Sequence, residues 1–397
     1  MVARYFPLEE YRLRWSRVED EMKRRGIEVA VVWGKTSASF DRAGDIIYLT
    51  NYFSHTTGQG VDTGPHRART FCAVLLQPGE PPELHVDDPE LRPELLATDR
   101  IRNHPDPVTS IITSLKDRKV VDPVAFSGSD FFPVAQWQRL MAASPRFTWK
   151  IVDDLVRSTR FIKTNRELDC FREGAAILNP AMDILTERLI AGDSEAEAAG
   201  KAVAELLRRG GTYHKIVCCH GKLTAYTCSD PFTGYSTLVP KRGDLVRAFI
   251  IGPILQGYYF DPGRTAVVGN RPTPEQRTLV EGCAAIVETL CEAVRPGRSY
   301  KEIAELGDRL VSEIGLDGGG ASAQYPFYGH PNGLYFETPP YLSTVHDHLG
   351  AVIEADTVLG IEAFIAKDGI GTAGFEQNVI VGRDGIELLT TTPMIPF

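Results

Sequence analysis

The chain has no long apolar run and no cysteine motif. No segment approaches the roughly 18–20 apolar residues that span a bilayer, and the first residues, MVARYFPLEEYRLRW, contain no apolar stretch of signal-peptide length. The 7 cysteines are scattered without a CxxC pair, which argues against a zinc ribbon and a disulfide framework. We therefore expect a cytoplasmic protein with no membrane partner.

A basic patch is also missing. The formal net charge is −9, and no run of lysine and arginine interrupts the acidic balance. Because nucleic-acid binding needs a basic face that contacts phosphates, we expect no nucleic-acid partner. What is present is a globular composition, 43% hydrophobic and 24% charged, over 397 residues. Such a length accommodates about two or three domains.

The first part of the chain alternates between helical and strand patterns. LEEYRLRWSRVEDEMKRRG has apolar residues at helical spacing and stops at Gly26. The segments IEVAVVW, FCAVLL and PELHV are short, apolar and separated by turn residues, which is typical of strands. We predict an α/β domain over residues 1–157.

From residue 158 onward, long helices alternate with glycine-punctuated strand segments. TNRELDCFREGAAILNPAMDILTERLIAG predicts one long helix with an internal proline. Three later helices begin with capping signals, which are Ser194 with Glu197, Thr273 with Gln276, and Ser299 with Glu302. We predict an α+β domain over residues 158–397.

Two glutamates in this second part interrupt apolar strand patterns. Glu362 lies in VLGIEAFIA and Glu376 in GFEQNVIVG, and we expect the two strands to be adjacent. A buried carboxylate is unfavourable without a partner, and two buried like charges repel each other. A metal ion, a shared proton, a basic side chain or a cationic substrate must therefore balance them.

Two further residues are candidates for the same site. Asp261 ends an apolar hairpin, and His330 lies in the glycine- and aromatic-rich run GHPNGLYFETPPY. Each also has a structural explanation, since Asp-Pro-Gly is a common turn sequence and a histidine before proline can be hydrogen-bonded within the fold. The order of all four residues along the chain, rather than any one of them, indicates a site.

The segments that carry these residues resemble the creatinase/prolidase/aminopeptidase P family (M24, the pita-bread fold). The similar segments are RFIKTNRELDCFREGAAI, RGDLVRAFIIGPILQGYYFDPGRTAVVG, GHPNGLYFETPPY, GIEAFI and GFEQNVIVGRDGIELLT. The resemblance implies a creatinase/prolidase-type α/β N-terminal domain over 1–157 and an α+β pita-bread catalytic domain over 158–397. It also indicates a divergent member that differs from the peptidases.

In the family's metallopeptidases, two aspartates, one histidine and two glutamates bind two metal ions. Asp261, His330, Glu362 and Glu376 match four of these positions, and the remaining aspartate position falls on Ile250, which cannot coordinate a metal. The resemblance therefore implies one divalent ion, Mn, Fe or Zn, or, as in metal-free creatinase, none. Without a metal, the two glutamates would bind a guanidinium, amidine or ammonium group, and His330 would transfer the proton.

Other family positions are changed as well. A histidine used by the peptidases and by creatinase aligns with Phe232, and a second peptidase histidine is replaced in the run Glu337-Thr338. We predict that Phe232, Asp230 and Glu337 contact a small-molecule substrate. These changes argue against ordinary dipeptidase chemistry, which uses two metals and two histidines.

The resemblance also implies a homodimer in which the N-terminal domain of one subunit completes the active site of the other. In NYFSHTTGQGVDTGPHRART, Arg67 and Arg69 are candidates for binding a substrate carboxylate, with His55 and His66 as secondary candidates. The alternative explanation is a solvated loop.

Together, the changed positions favour a hydrolase that cleaves a C–N bond in a small zwitterionic or cationic non-peptide substrate. Three alternatives stay open. They are a β-eliminating lyase related to the dimethylsulfoniopropionate-cleaving branch, an Xaa-Pro dipeptidase or aminopeptidase, and a catalytically dead binding module.

Overall fold

The computed structural model describes residues 4–36, 42–54, 71–120, 122–226, 234–315, 325–345 and 350–395. The chain divides into two compact units, Met1–Phe161 and Ile162–Phe397. Within the described residues, no helix combines the length and the apolarity that crossing a membrane would require.

A mixed six-stranded sheet flanked by helices forms the first unit. The strands are β1 (Ala30–Lys35), β2 (Phe71–Leu76), β3 (Glu83–Val86), β4 (Ile101–Asn103), β5 (Val124–Ser127) and β6 (Trp149–Ile151), and the helices are α1 (Leu8–Arg25), α2 (Gly44–Thr50), α3 (Pro107–Asp117), α4 (Val134–Ala143) and α5 (Arg157–Arg160). The strand order is β4-β3-β2-β1-β5-β6. Helix α1 ends at Gly26 in a left-handed conformation, as predicted.

The core of the first unit lies between its sheet and helices α3 and α4. Trp33 of β1, Phe71 of β2 and Phe126 of β5 are buried there, together with Ile111 of α3 and Leu140 of α4. This arrangement of a sheet covered by helices confirms the predicted α/β character of the N-terminal part.

The second unit is built on a sheet whose main path is antiparallel. Its strands are β7 (Lys215–His220), β8 (Leu245–Leu255), β9 (Tyr258–Phe260), β10 (Gly263–Val267), β11 (Gly329–Pro331), β12 (Val358–Lys367), β13 (Gly371–Val381) and β14 (Ile386–Leu388), and its helices are α6 (Asn165–Ala191), α7 (Glu195–Arg208), α8 (Pro274–Ala293) and α9 (Tyr300–Glu313). The main path is β11-β12-β13-β10-β8-β7, while β14 pairs with β13 and β9 with β8.

The helix starts of the second unit follow the sequence signals. Each of the three predicted caps forms a reciprocal capping box, at Ser194 before α7, Thr273 before α8 and Ser299 before α9. Helix α6 is one continuous helix of 27 residues that contains Pro180, and Thr164 caps it in the same way. The predicted α+β character of this part is confirmed.

The centre of this sheet brings distant segments together. Glu362 of β12 lies directly opposite Glu376 of β13, and Glu376 in turn lies opposite Gly263 of β10. On the other side of β12, His330 of β11 pairs with Gly360. The expected adjacency of the two glutamate strands is therefore observed, and the register places the histidine strand beside them.

Candidate metal centre and cavity

Four side chains predicted from the sequence converge in the second unit. Asp261 directly follows β9, His330 lies in β11, Glu362 in β12 and Glu376 in β13. All four residues are buried. Residues that are separated by up to about 115 positions in the chain thus share one site because the antiparallel register aligns their strands.

The distances within the cluster are those of potential metal ligands. His330 Nε2 lies 3.3 Å from Asp261 Oδ2 and 3.6 Å from Glu362 Oε1. One ligand atom each from Asp261, His330 and Glu376 lie within 4.8 Å of one another. Glu362 is adjacent and supplies a further carboxylate.

Two asparagines hold Asp261 in place. Asn332 Nδ2 donates to Asp261 Oδ1 at 2.8 Å, and Asn378 Nδ2 donates to the same oxygen at 2.7 Å. Asn378 Oδ1 also accepts from the main-chain N–H of Asp261 at 3.0 Å. With Oδ1 occupied in this way, Oδ2 faces His330, and this fixed orientation favours a ligand role.

Glycine at position 360 leaves room for the cluster. A Cβ added at Gly360 would lie 2.4 Å from Glu376 Oε1 and 3.2 Å from Asp261 Oδ1. Such approaches are shorter than van der Waals contact, so any larger residue would push the carboxylates away. The main chain of β12 at Gly360, which has no side chain, therefore lies directly beside the carboxylates.

Among the described residues, His330 is the only basic side chain within ion-pair distance of the cluster. Burial, followed by the neighbouring charge of Asp261, raises the pKa of Glu362 well above its ordinary value. The same two causes and the charge of Glu362 raise the pKa of Glu376. A cation at this place would favour the ionised carboxylates and offset both penalties.

The donor set fits one divalent metal ion. One imidazole nitrogen and carboxylate oxygens are ligands that suit Mn, Fe or Zn. Asp261, His330 and Glu376 would hold the ion, with Glu362 as an additional oxygen donor. The asparagine contacts to Asp261 and the space over Gly360 are consistent with this assignment.

The structure corrects the position of the missing aspartate. The sequence comparison placed it at Ile250, but Ile250 is fully buried and does not line the cavity, whereas Phe249 and Ile251 do. Successive residues of a strand point to opposite faces, and an irregularity between β8 and β9 shifts the register near Pro253. Counting along the chain across this irregularity selects the wrong face of β8.

Phe249 occupies the cavity wall beside Asp261. It pairs with Gly263, and a Cβ on Gly263 would lie only 2.0 Å from the Phe249 ring. The ring stacks on Phe364, with centroids 5.4 Å apart and an interplanar angle of 20°. An apolar ring therefore lies on the face of β8 that could have presented a further carboxylate ligand.

The cluster forms one wall of a cavity of about 220 Å³. Much of the remaining lining is aromatic, namely Phe249, Tyr325, Phe327, Phe336, Tyr341 and Phe364. Tyr325 continues the stack on Phe364 with centroids 4.9 Å apart. The cavity therefore has the size of a small molecule, with an acidic wall and a flat aromatic wall.

The other predicted substrate contacts have different outcomes. Glu337 is fully buried, its carboxylate lies against the main chain of Gly333, and it does not line the cavity, whereas its neighbour Thr338 does. The prediction that Glu337 contacts the substrate therefore finds no support in the cavity lining.

Six predicted residues lie outside the described residues. These are Arg67, Arg69, Asp230, Phe232, His55 and His66.

Sequence reasoning missed three polar residues of this region. Asn332 and Asn378 orient Asp261, and Arg247 lines the cavity from β8. The signal for Arg247 was a charged residue inside the apolar run LVRAFII, the same signal that identified the two glutamates.

Comparison with known proteins agrees with this geometry. A family model, metallopeptidase family M24, matches residues 169–383, more than half of the chain. The Xaa-Pro dipeptidase of Pyrococcus horikoshii is 27% identical over 248 residues, which are 62% of this chain and 66% of that protein. The matched segment thus spans slightly less than two thirds of this relative's length.

Solved structures show the same architecture along nearly the whole chain. Dipeptidase PepE from Mycobacterium ulcerans has a TM-score of 0.76 at 21% identity, covering 98% of each chain. The prolidase from Pyrococcus horikoshii OT3 has a TM-score of 0.72 at 21% identity, covering 96% of this chain and 98% of that one. The predicted fold, an α/β N-terminal domain followed by a pita-bread domain, is confirmed. The chain belongs to metallopeptidase family M24.

Proposed function

We propose that this protein is a hydrolase that cleaves a C–N bond in a small zwitterionic or cationic non-peptide substrate, with one divalent metal ion at the cluster. One observation carries the proposal. The cluster offers ligands for one metal ion, and an aromatic ring occupies the neighbouring position in the cavity wall. Asp261, His330 and Glu376 converge within 4.8 Å, while Phe249 fills the wall beside them.

The charge of the site favours a substrate with a positive group. When Asp261, Glu362 and Glu376 are all ionised, a divalent ion leaves one negative charge at the cluster itself. A substrate ammonium, amidinium or guanidinium group would balance it.

A metal ion held by these ligands would polarise the scissile group and activate a water molecule. The residues of the chain would orient the substrate and exclude bulk water. Asp261 is held by Asn332 and Asn378, so the ligand geometry would be preorganised before substrate binds.

Xaa-Pro dipeptidase activity is the second candidate, because the similar proteins carry that name. It is the weaker candidate on structural grounds. In the family's peptidases, two metal ions serve the cleavage of dipeptides. In this chain, the Phe249 ring occupies the part of the cavity wall where a ligand for the second ion would lie.

Metal analysis combined with a substrate panel tests the proposal. The panel contains guanidino acids, amidines, N-carbamoyl amino acids and Xaa-Pro dipeptides, each assayed with chelator-treated protein before and after addition of Mn, Fe or Zn. We expect about one metal equivalent per chain and turnover of a non-peptide compound. Turnover of Xaa-Pro dipeptides alone would support the second candidate.

Two variants make the result specific to the site. Glu376→Gln should weaken metal binding by about 100-fold or more and abolish turnover. Glu387→Gln is the matched control, because Glu387 is an exposed carboxylate on β14 that pairs with Arg172. Turnover without any bound metal that still depends on Glu376 would instead support the metal-free scheme in which the glutamates bind the cationic group.

A further inference from the structure

Arg247 is a buried arginine in the wall of the same cavity. It lies in β8 with 2% of its surface exposed, and its side chain lines the cavity together with Phe249. Its guanidinium carbon lies 5.3 Å from the centroid of the Phe364 ring. A permanent positive charge therefore stands beside the aromatic wall.

Most of the hydrogen-bonding capacity of Arg247 is unused. Nη2 donates to the main-chain oxygen of Tyr226 at 2.6 Å. Nε and Nη1 are buried and have no hydrogen-bond acceptor in the described part of the chain. Each edge of the guanidinium thus has a nitrogen without a partner, although buried donors are nearly always satisfied in folded proteins.

A second buried arginine in the same sheet shows the contrast. Arg264 of β10 uses all three guanidinium nitrogens, with main-chain oxygens of Thr392 and Glu376 and the side chain of Gln377 among its acceptors. Arg264 has the hydrogen bonds expected of a structural arginine. Arg247 does not, and no carboxylate among the described residues lies within ion-pair distance of it.

The location of Arg247 relative to the acidic cluster is also informative. The guanidinium lies over Phe364, which is two residues after Glu362 on β12 and therefore on the same face of the strand. At a rise of about 3.3 Å per residue, the Cα atoms of Glu362 and Phe364 are on the order of 7 Å apart. The acidic cluster and the Arg247 guanidinium thus lie along the same face of β12 and line one cavity.

We infer that Arg247 is the binding site for a carboxylate, or a comparable planar oxyanion, of the substrate. A carboxylate would accept from one edge of the guanidinium, formed by Nη2 with either Nε or Nη1, because Nη2 has a second N–H besides the one donated to Tyr226. This narrows the substrate class to short carboxylic acids that carry a scissile C–N bond. The inference rests on the proposed function for its substrate, but the anion site itself can be tested without turnover.

A matched pair of ligands isolates the carboxylate contact. Binding of 3-guanidinopropionate and of its neutral amide, 3-guanidinopropanamide, is measured by calorimetry on the full-length protein loaded with metal. We expect the acid to bind the native protein about 10- to 100-fold more tightly than the amide, the range of a charge-assisted hydrogen bond. In Arg247→Met this preference should vanish, and in Arg247→Lys it should be partly retained.

Lys215→Met serves as the control, because Lys215 also lines the cavity but lies at the exposed edge of β7. It should keep the preference for the acid. An acid preference that survives in Arg247→Met, or that is lost only in Lys215→Met, would overturn the inference.

The melting temperature of the ligand-free protein provides a second readout. Arg247→Met removes an unpaired buried charge, so we expect an unchanged or higher melting temperature. A structural arginine would give the opposite result, a marked loss of stability together with unchanged ligand preference. Arg247-dependent binding of the acid without C–N cleavage would uphold the anion site while contradicting the proposed function, so the two failures are distinguishable.

Discussion

Glu362 of β12 and Glu376 of β13 lie directly opposite each other in the antiparallel register, and both are buried. Opposed like charges on neighbouring strands are destabilising. The two carboxylates therefore oppose folding of the free protein and favour binding of a cation. The predictions below follow from this relationship and from the residues around it.

Replacing Glu376 should separate stability from function. In chelator-treated protein, Glu376→Gln removes one of the two repelling charges, so we expect a gain on the order of 1 kcal/mol in the free energy of unfolding. The same variant should lose metal affinity by about 100-fold or more, since even supporting residues of a metal site cost 10- to 100-fold. Denaturant unfolding and metal titration measure the two effects, and a destabilised variant that still binds metal would contradict the prediction.

The stability of the metal-free protein should fall as pH rises. Burial and nearby charge raise the pKa of Glu362 and of Glu376 above the ordinary value of 4.5. The folded state therefore keeps protons that the unfolded chain has released, and stability is lost as pH rises through the raised pKa values. Each group contributes about 1.4 kcal/mol per pH unit within that window.

Melting curves of chelator-treated protein between about pH 5 and pH 8 check this sign. The double variant Glu362→Gln with Glu376→Gln should show a weaker dependence over the same range, because neither side chain can then titrate. A melting temperature that rises with pH in the native chain but not in the double variant would refute the assignment.

Introducing an aspartate on β8 should distinguish its two faces. Phe249→Asp places a carboxylate in the cavity wall, and we expect the metal content to rise above that of the native chain. Ile250→Asp buries a carboxylate on the opposite face, away from the cluster, and should destabilise the protein by about 3–5 kcal/mol. Metal analysis and urea unfolding provide the comparison. If only Ile250→Asp had a higher metal content, the missing aspartate position would be Ile250, as the sequence alone indicated.

The space over Gly360 should be essential for ligand geometry. A Cβ there would lie 2.4 Å from Glu376 Oε1, so Gly360→Ala should weaken metal binding by at least about tenfold. Gly200→Ala is the control, because an added Cβ at this position of α7 has no neighbour within 4 Å. That control should bind metal normally and gain about 1 kcal/mol in stability. Equal metal affinity in both alanine variants would show that the carboxylates can shift without loss.

The dimer implied by the family resemblance can be tested by complementation. We propose that Arg67 and Arg69 act in the active site of the partner subunit. A double alanine variant at these positions and Glu376→Gln should each be inactive alone, and mixed subunits should regain part of the activity. Light scattering should show a dimer throughout. Failure of the mixture to recover activity would indicate that each subunit works with its own residues.

Several features of this site could be predicted from the residues alone. Glu362 and Glu376 were identified because burying a carboxylate within an apolar strand is energetically unfavourable. Asp261 and His330 were added because the order of the four residues along the chain indicated one site. Arg247 is also a charged residue within an apolar strand pattern. It was missed because a single charge in such a strand does not indicate whether a partner lies nearby. The asparagines at 332 and 378 carried no signal, because their role is defined by contact with Asp261.

By itself the sequence determined the local structure and the kind of chemistry. Helical periodicity, capping residues and apolar strand runs depend on near neighbours, and the cost of burying a carboxylate depends on its own surroundings. Only the tertiary structure decided which residues share the cavity. An irregularity between β8 and β9 places Phe249, and not Ile250, on the cavity side, since one shifted residue in a strand exchanges its faces. Likewise, only the packing of β8 against its neighbours revealed that Arg247 is buried with two guanidinium nitrogens that have no acceptor among the described residues.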